Sequence, residues 1–182
     1  MTLEALALQG NSAVYDTLAA TVGPRIRDIR KEFIKESFSD LEHIEHRLEH
    51  VANIHGIEFI NDSRSSNINA TWFALESMNK PVIWIAGGVD RGNDFRIVQD
   101  LVSRKVKALI CLGLDNRSLH RAFGHLEIPM VDVISMEEAL QAAYYYGEKG
   151  DVILLSPSSA SFDLFENFEE RGNAFRASVK KL

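Results

Sequence analysis

Val152-Ile153-Leu154-Leu155-Ser156-Pro157-Ser158-Ser159-Ala160-Ser161-Phe162-Asp163-Leu164-Phe165-Glu166-Asn167-Phe168-Glu169-Glu170-Arg171-Gly172 passes from a short apolar run into a small, hydroxyl-rich loop and then into a helix. Val152 to Leu155 predicts a buried strand. The serines and Ala160 leave backbone N–H groups open to a ligand, and a helix over Leu164–Lys180 would point its positive end at the same place. Asp163-x-x-Glu166 resembles a capping box at its start.

Upstream, the same alternation repeats. Strands are predicted over Ile57–Asn61, Val82–Ala86, Ala108–Leu112 and Met130–Val133, with Glu49–Ile54 as an added edge strand. Helices are predicted over Asn67–Met78, Phe95–Ser103, Asn116–Phe123 and Glu137–Gly147, the last with Ser135-x-x-Glu138 as a capping box. Apolar strands alternating with helices predict an α/β fold: a Rossmann-like, mainly parallel sheet with helices on both faces. Residues 1–39 read differently. They carry two amphipathic helical patterns separated by Gly23-Pro24 and no strand, so the domain proper spans 40–182 behind a short helical segment.

The composition narrows the function. Of 182 residues, 46% are hydrophobic, enough for a substantial core, and the net charge of −6 argues against nucleic acid as a partner. The single cysteine, Cys111, lies inside an apolar run and predicts a buried thiol in a reducing compartment. No apolar run approaches the ~18 residues of a membrane span, and the N-terminus lacks a secretory pattern, so a cytoplasmic location is expected.

In parallel sheets ligands gather at the carboxyl ends of the strands. There the sequence places Asn61-Asp62-Ser63-Arg64-Ser65-Ser66-Asn67, Gly87-Gly88-Val89-Asp90-Arg91-Gly92-Asn93-Asp94 and Ser156 to Ser161, while the opposite loops, such as Asn79-Lys80-Pro81, are plainer. Asn61 to Asn67 reads either as an anion and nucleotide site or as an elaborate helix cap. Gly87-Gly88 would admit a ligand close to the backbone, and Arg91 could hold a carboxylate through two parallel hydrogen bonds; a tight turn with a solvated arginine is the plainer account. Neither G-x-G-x-x-G nor a Walker A loop occurs. His43, His46 and His50 would share one face of a helix and could ligate zinc, or belong to a charged connector facing water. Trp72, Phe73, Trp84 and Tyr144-Tyr145-Tyr146 are expected to pack the core and its margins.

His46-Arg47-Leu48-Glu49, the Asn61–Asn67 loop, Gly87-Gly88-Val89-Asp90-Arg91-Gly92 and Ser-Pro-x-x-Ala-Ser-x-Asp-x-Phe-x-Asn-Phe-x-x-Arg-Gly together resemble the C-terminal domain of the Mur ligases, most closely the branch that adds D-glutamate. The resemblance runs from about residue 45 to the end. Gln9-Gly10 onward, with Ala19-Ala20, resembles the end of the family's central ATPase domain.

The resemblance implies an ATP-dependent amide ligation. The carboxylate of UDP-MurNAc-L-alanine is phosphorylated with Mg2+, and D-glutamate then attacks the acyl phosphate. It also implies that the chain is a piece of a longer ligase, unable to turn over alone and without catalytic residues or metal ligands of its own. Residue by residue, Arg47 and Asp62 match ATP contacts. Arg64, Ser66, Arg91, Ser161 and Phe168 match the D-glutamate site. Arg64 and Arg91 stand where the family usually has lysine, and Ser66 where it has threonine. Asn11-Ser12-Ala13 replaces a basic residue, His and Asn, and Asp16 replaces an Asn. These departures motivate the alternative, a stand-alone ligand-binding module without ligase activity.

Overall fold

A computed structural model describes residues 45–182; the helical segment over 1–39 and His43 lie outside the described residues. Strand β1 (Glu49–Ile54) turns through His55 and Gly56 into β2 (Ile57–Asn61). Both turn residues have positive φ, 51° and 85°, the handedness that suits a two-residue hairpin between twisted strands. There follow α1 (Ile68–Ser77), β3 (Val82–Gly87), a 3-10 turn (Phe95–Val98) running into α2 (Gln99–Lys105), β4 (Val106–Leu112), α3 (Arg117–Phe123), β5 (Met130–Val133), α4 (Met136–Tyr146), β6 (Val152–Ser158) and α5 (Phe168–Val179).

The sheet order is β1-β2-β6-β3-β4-β5, with β1 antiparallel to β2 and all other pairs parallel. The α/β reading therefore holds, edge strand included. The alternation of side chains along β3 builds two cores. Val82, Trp84 and Ala86 pack with α1, α2 and α3, whereas Ile83 and Ile85 pack with α4 and α5. Cys111 is fully buried among the first set, and burial pushes its thiol up to about 12. One aromatic expectation fails: Tyr145 is 82% exposed, because it sits on the outer face of α4.

The last strand, β6, inserts between β2 and β3. Loops following β2, β6 and β3 thus become neighbours, although nearly a hundred residues separate them in sequence.

Gly172, inside α5, meets this arrangement directly. A Cβ there would lie 2.2 Å from Nδ1 of His46, whose buried ring is hydrogen-bonded to Asn61 at 2.9 Å. In an ordinary helix interior Gly→Ala gains about 1 kcal/mol. Here the sign is expected to reverse: Gly172→Ala should destabilise the domain by about 1–3 kcal/mol through overpacking. Urea unfolding measures it, and an unchanged or raised midpoint would remove the packing argument.

Candidate functional site

The carboxyl ends of β2, β6 and β3 rest on a buried polar frame. Asp62 is 2% exposed; its carboxylate accepts from the Leu48 N–H at 3.2 Å and the Ser156 hydroxyl at 2.8 Å. Burial pushes its pKa up to about 6, although hydrogen bonds from Ser65 and Ser156 and the charge of Arg47 pull the other way. The carbonyl of Ser156 accepts in turn from the Trp84 indole at 2.8 Å.

A folded-state pKa raised above 3.8 means that the fold holds the Asp62 proton more tightly than the unfolded chain does. Its contribution to stability is full below about pH 4 and is lost as pH rises through about 6. Asp62→Asn stays neutral throughout. Its stability relative to wild type should therefore grow from about pH 4 to above pH 6 in urea unfolding; a constant difference would show that Asp62 titrates as it does in water.

Four further links stitch the loops together. Ser158 donates its N–H to the Ser65 carbonyl at 2.9 Å, and Val89 donates to Ala160 at 2.8 Å. Gly88, at φ 116°, allows this approach, since a Cβ there would lie 2.2 Å from the Ala160 carbonyl oxygen. Asn93 bridges three loops, donating to Asp90 at 2.8 Å and to the Ser158 carbonyl at 2.9 Å while accepting from Ile68 N–H at 3.0 Å. Buried Arg171 donates to the Ser63 hydroxyl (3.1 Å), the Ser63 carbonyl (2.9 Å) and the Ser159 carbonyl (3.1 Å). Desolvation holds its guanidinium pKa down to about 10.

This frame corrects the expected open, N–H-rich loop. Strand β6 continues to Ser158, and Ser156, Ser158 and Ser159 are buried where they join neighbouring loops. The helix is corrected too. It begins at Phe168, capped by Asn167, whose side chain accepts from Glu170 N–H at 2.7 Å; the Glu170 carboxylate accepts from Glu166 N–H at 2.6 Å. Asp163 instead accepts from the Leu114 N–H at 3.1 Å. The positive helix end is thus capped by the Asn167 side chain, with Glu169 and Glu170 in its first turn.

Above the frame stand the exposed groups. Arg64 lies over the Phe168 ring, 5.3 Å from its centroid, and Arg91 over the Phe162 ring at 5.7 Å. Both are exposed, and among the described residues neither has a carboxylate partner. Other exposed arginines do: Arg96 pairs with Asp94, Arg104 with Asp100 and Arg117 with Asp115. Ser66 is exposed, and its N–H donates to the Arg64 carbonyl at 2.9 Å. Ser161 is 3% exposed, and its carbonyl accepts from Leu164 and Phe165. Half-buried Arg47 lies close enough to act electrostatically on Asp62. The sequence-predicted residues thus fall into three sets: Arg47 with Asp62, Arg64 with Ser66 and Phe168, and Arg91 over the ring of Phe162, the neighbour of Ser161. A cleft of about 430 Å³ opens beside Gly88 and Asp163.

The histidine metal reading is not supported. His46 sits in a left-handed turn (φ 62°), buried against Asn61, and His50 lies in β1, so no helix aligns them. Burial is the main cause that lowers the His46 pKa. Elsewhere Cys111, His120 and Asp132 bring ligand atoms within 4.8 Å of one another, with His120 hydrogen-bonded to Asp132 at 2.9 Å. Asn93, Phe162 and Arg171 carry roles that were not assigned from the sequence. Only Arg171 gave a signal, as part of the quoted motif.

Residues 46–159 match the family described as Mur ligase, glutamate ligase domain. UDP-N-acetylmuramoylalanine–D-glutamate ligase of Christiangramia forsetii is 49% identical over 97% of this chain, and that of Bacteroides thetaiotaomicron is 45% identical over all of it. The chain spans only about 40% of the length of these curated relatives. Among solved structures, UDP-N-acetylmuramate-alanine ligase from Thermotoga maritima shares the fold with a TM-score of 0.54 at 12% identity, covering 91% of this chain and 35% of its own. A bifunctional folylpolyglutamate synthase/dihydrofolate synthase from Yersinia pestis, complexed with AMPPNP and Mn ion, gives 0.52 at 14% identity over 74% of this chain and 31% of its own. The polar rim on a parallel sheet and a family match over more than half of the sequence agree: this chain belongs to the Mur ligase family, as a glutamate ligase domain.

Proposed function

We propose that the chain supplies the amino-acid site of an ATP-dependent ligase that joins D-glutamate to UDP-MurNAc-L-alanine in peptidoglycan precursor synthesis. The observation that carries this is the pair of exposed guanidiniums, Arg64 and Arg91, each set over an aromatic ring and without a carboxylate partner among the described residues. D-glutamate brings two carboxylates, and a guanidinium fork matches each through parallel hydrogen bonds. Ser66 and Ser161 add hydroxyls for orientation, and Phe168 closes the apolar side. Arg47 faces the nucleotide. The carboxylate of Asp62 is taken up by its own loops, so its part is to hold the segment that carries Arg47 in place.

In the reaction, ATP transfers its terminal phosphoryl group to the UDP-MurNAc-L-alanine carboxylate and leaves as ADP. The D-glutamate amine attacks the acyl carbon, the amide bond forms, and phosphate departs as the amine loses a proton. This domain contributes position: it holds the amine donor by its carboxylates and leaves the nitrogen free, a gain from proximity. Both Asp62 oxygens are taken up by the Leu48 N–H and the Ser156 hydroxyl, and Oδ1 of Asp90 by Gly92 and Asn93. The phosphate cradle and the ligands of Mg2+ would lie elsewhere in the ligase. We place the reaction in the cytoplasm; among the described residues no helix is long and apolar enough to cross a membrane.

The test is phosphate release by the ligase that carries this chain, given ATP and UDP-MurNAc-L-alanine, with and without D-glutamate. Release that depends on D-glutamate is expected, with none from residues 1–182 alone. A ligase indifferent to D-glutamate would end the reading.

A further inference from the structure

We propose that Phe162 is a positioning residue that, together with Phe168, sets the separation of the two guanidiniums and so selects the length of the dicarboxylate; this deepens the D-glutamate reading and rests on it. Arg64 follows β2 and Arg91 follows β3, on loops joined to each other by the Ile68 N–H donating to Asn93 at 3.0 Å and both hydrogen-bonded to the β6 region. Yet the rings beneath them, Phe168 and Phe162, belong to one short segment. Both cations are therefore referenced to a single stretch of backbone. That stretch is itself fixed at Asp163 by Leu114 and at the Phe168 carbonyl by the Ser63 hydroxyl at 2.8 Å.

The exposure of Phe162 supports a role outside the core. Its side chain is 63% exposed at the rim of a polar site, where it contributes little to folding. What it does touch is the guanidinium of Arg91. A free arginine side chain samples many rotamers and loses that freedom on gripping a ligand. A ring face beneath the guanidinium restricts it beforehand, leaving its edge open for a carboxylate. Phe168 is a poorer probe, since it is half-buried against His46 with ring centroids 6.4 Å apart.

The experiment compares wild type, Phe162→Leu and Phe162→Tyr in the ligase that carries this chain, with D-glutamate, D-aspartate and ATP varied in turn. Phe162→Leu keeps an apolar side chain but lacks the ring face. It should melt with the wild type, raise the KM for D-glutamate roughly two- to fivefold and leave the KM for ATP unchanged. The kcat/KM preference for D-glutamate over D-aspartate should fall, and Phe162→Tyr should restore both values. A Phe162→Leu enzyme with wild-type KM and wild-type preference overturns the proposal, as does a tyrosine variant that behaves like leucine. Absence of D-glutamate turnover in the wild type is a different failure, that of the function itself.

Discussion

Replacing Arg91 or Arg64 by alanine in the ligase that carries this chain is expected to raise the KM for D-glutamate roughly 10- to 150-fold, the equivalent of about 1.5–3 kcal/mol for a lost charge-assisted hydrogen bond. The KM for ATP should hardly move. Neither guanidinium has a carboxylate among the described residues, so truncation leaves no protein acid orphaned. Neither is buried, so no cavity opens. The effect should therefore fall on the ligand and not on folding, and thermal melting of both variants should match wild type. Lysine at either position keeps the charge but not the fork, and should lie between. Equal shifts in the two KM values, or no shift for D-glutamate, would remove the assignment of these arginines.

The fold was legible where the residue pattern had one physical solution. Ile57–Asn61, Met130–Val133 and the edge strand Glu49–Ile54 match the observed strands at both ends. The start of α5 was not legible. Asp163-x-x-Glu166 and Asn167-x-x-Glu170 are equivalent as local cap patterns, and only the distant Leu114 N–H, which takes the Asp163 carboxylate, decides between them. Serine chemistry failed for a related reason. A hydroxyl-rich loop looks the same in sequence whether its groups meet a ligand or a neighbouring loop. Only the insertion of β6 between β2 and β3 turns Ser156, Ser158 and Ser159 inward. The arginines were legible as cations at the right strand ends. Phe168 was named in the same site only through the family resemblance, and Phe162 was not named at all, because the rings lie 104 and 71 residues beyond Arg64 and Arg91 in sequence.

Arg171→Met is expected to cost about 2–6 kcal/mol of unfolding free energy, about 1–3 kcal/mol for each of two buried carbonyls left without a donor. Methionine fills much of the volume, so the loss isolates the hydrogen bonds rather than a cavity. The buried guanidinium meets the carbonyls of Ser63 and Ser159 and the hydroxyl of Ser63, and the two loops it joins belong to β2 and β6. Removing it should also loosen the platform under Arg64, since Ser63 donates to the Phe168 carbonyl and Phe168 carries that arginine. A domain this small has a total stability of about 5–15 kcal/mol, so the variant should unfold at a visibly lower urea concentration. Arg171→Lys, with its compact charge, can satisfy some of these acceptors and should lose less. The opposite result, a methionine variant with the wild-type midpoint, would mean that the acceptors find water or other donors. The polar frame would then be ornament to the fold rather than what holds the three loops at one rim.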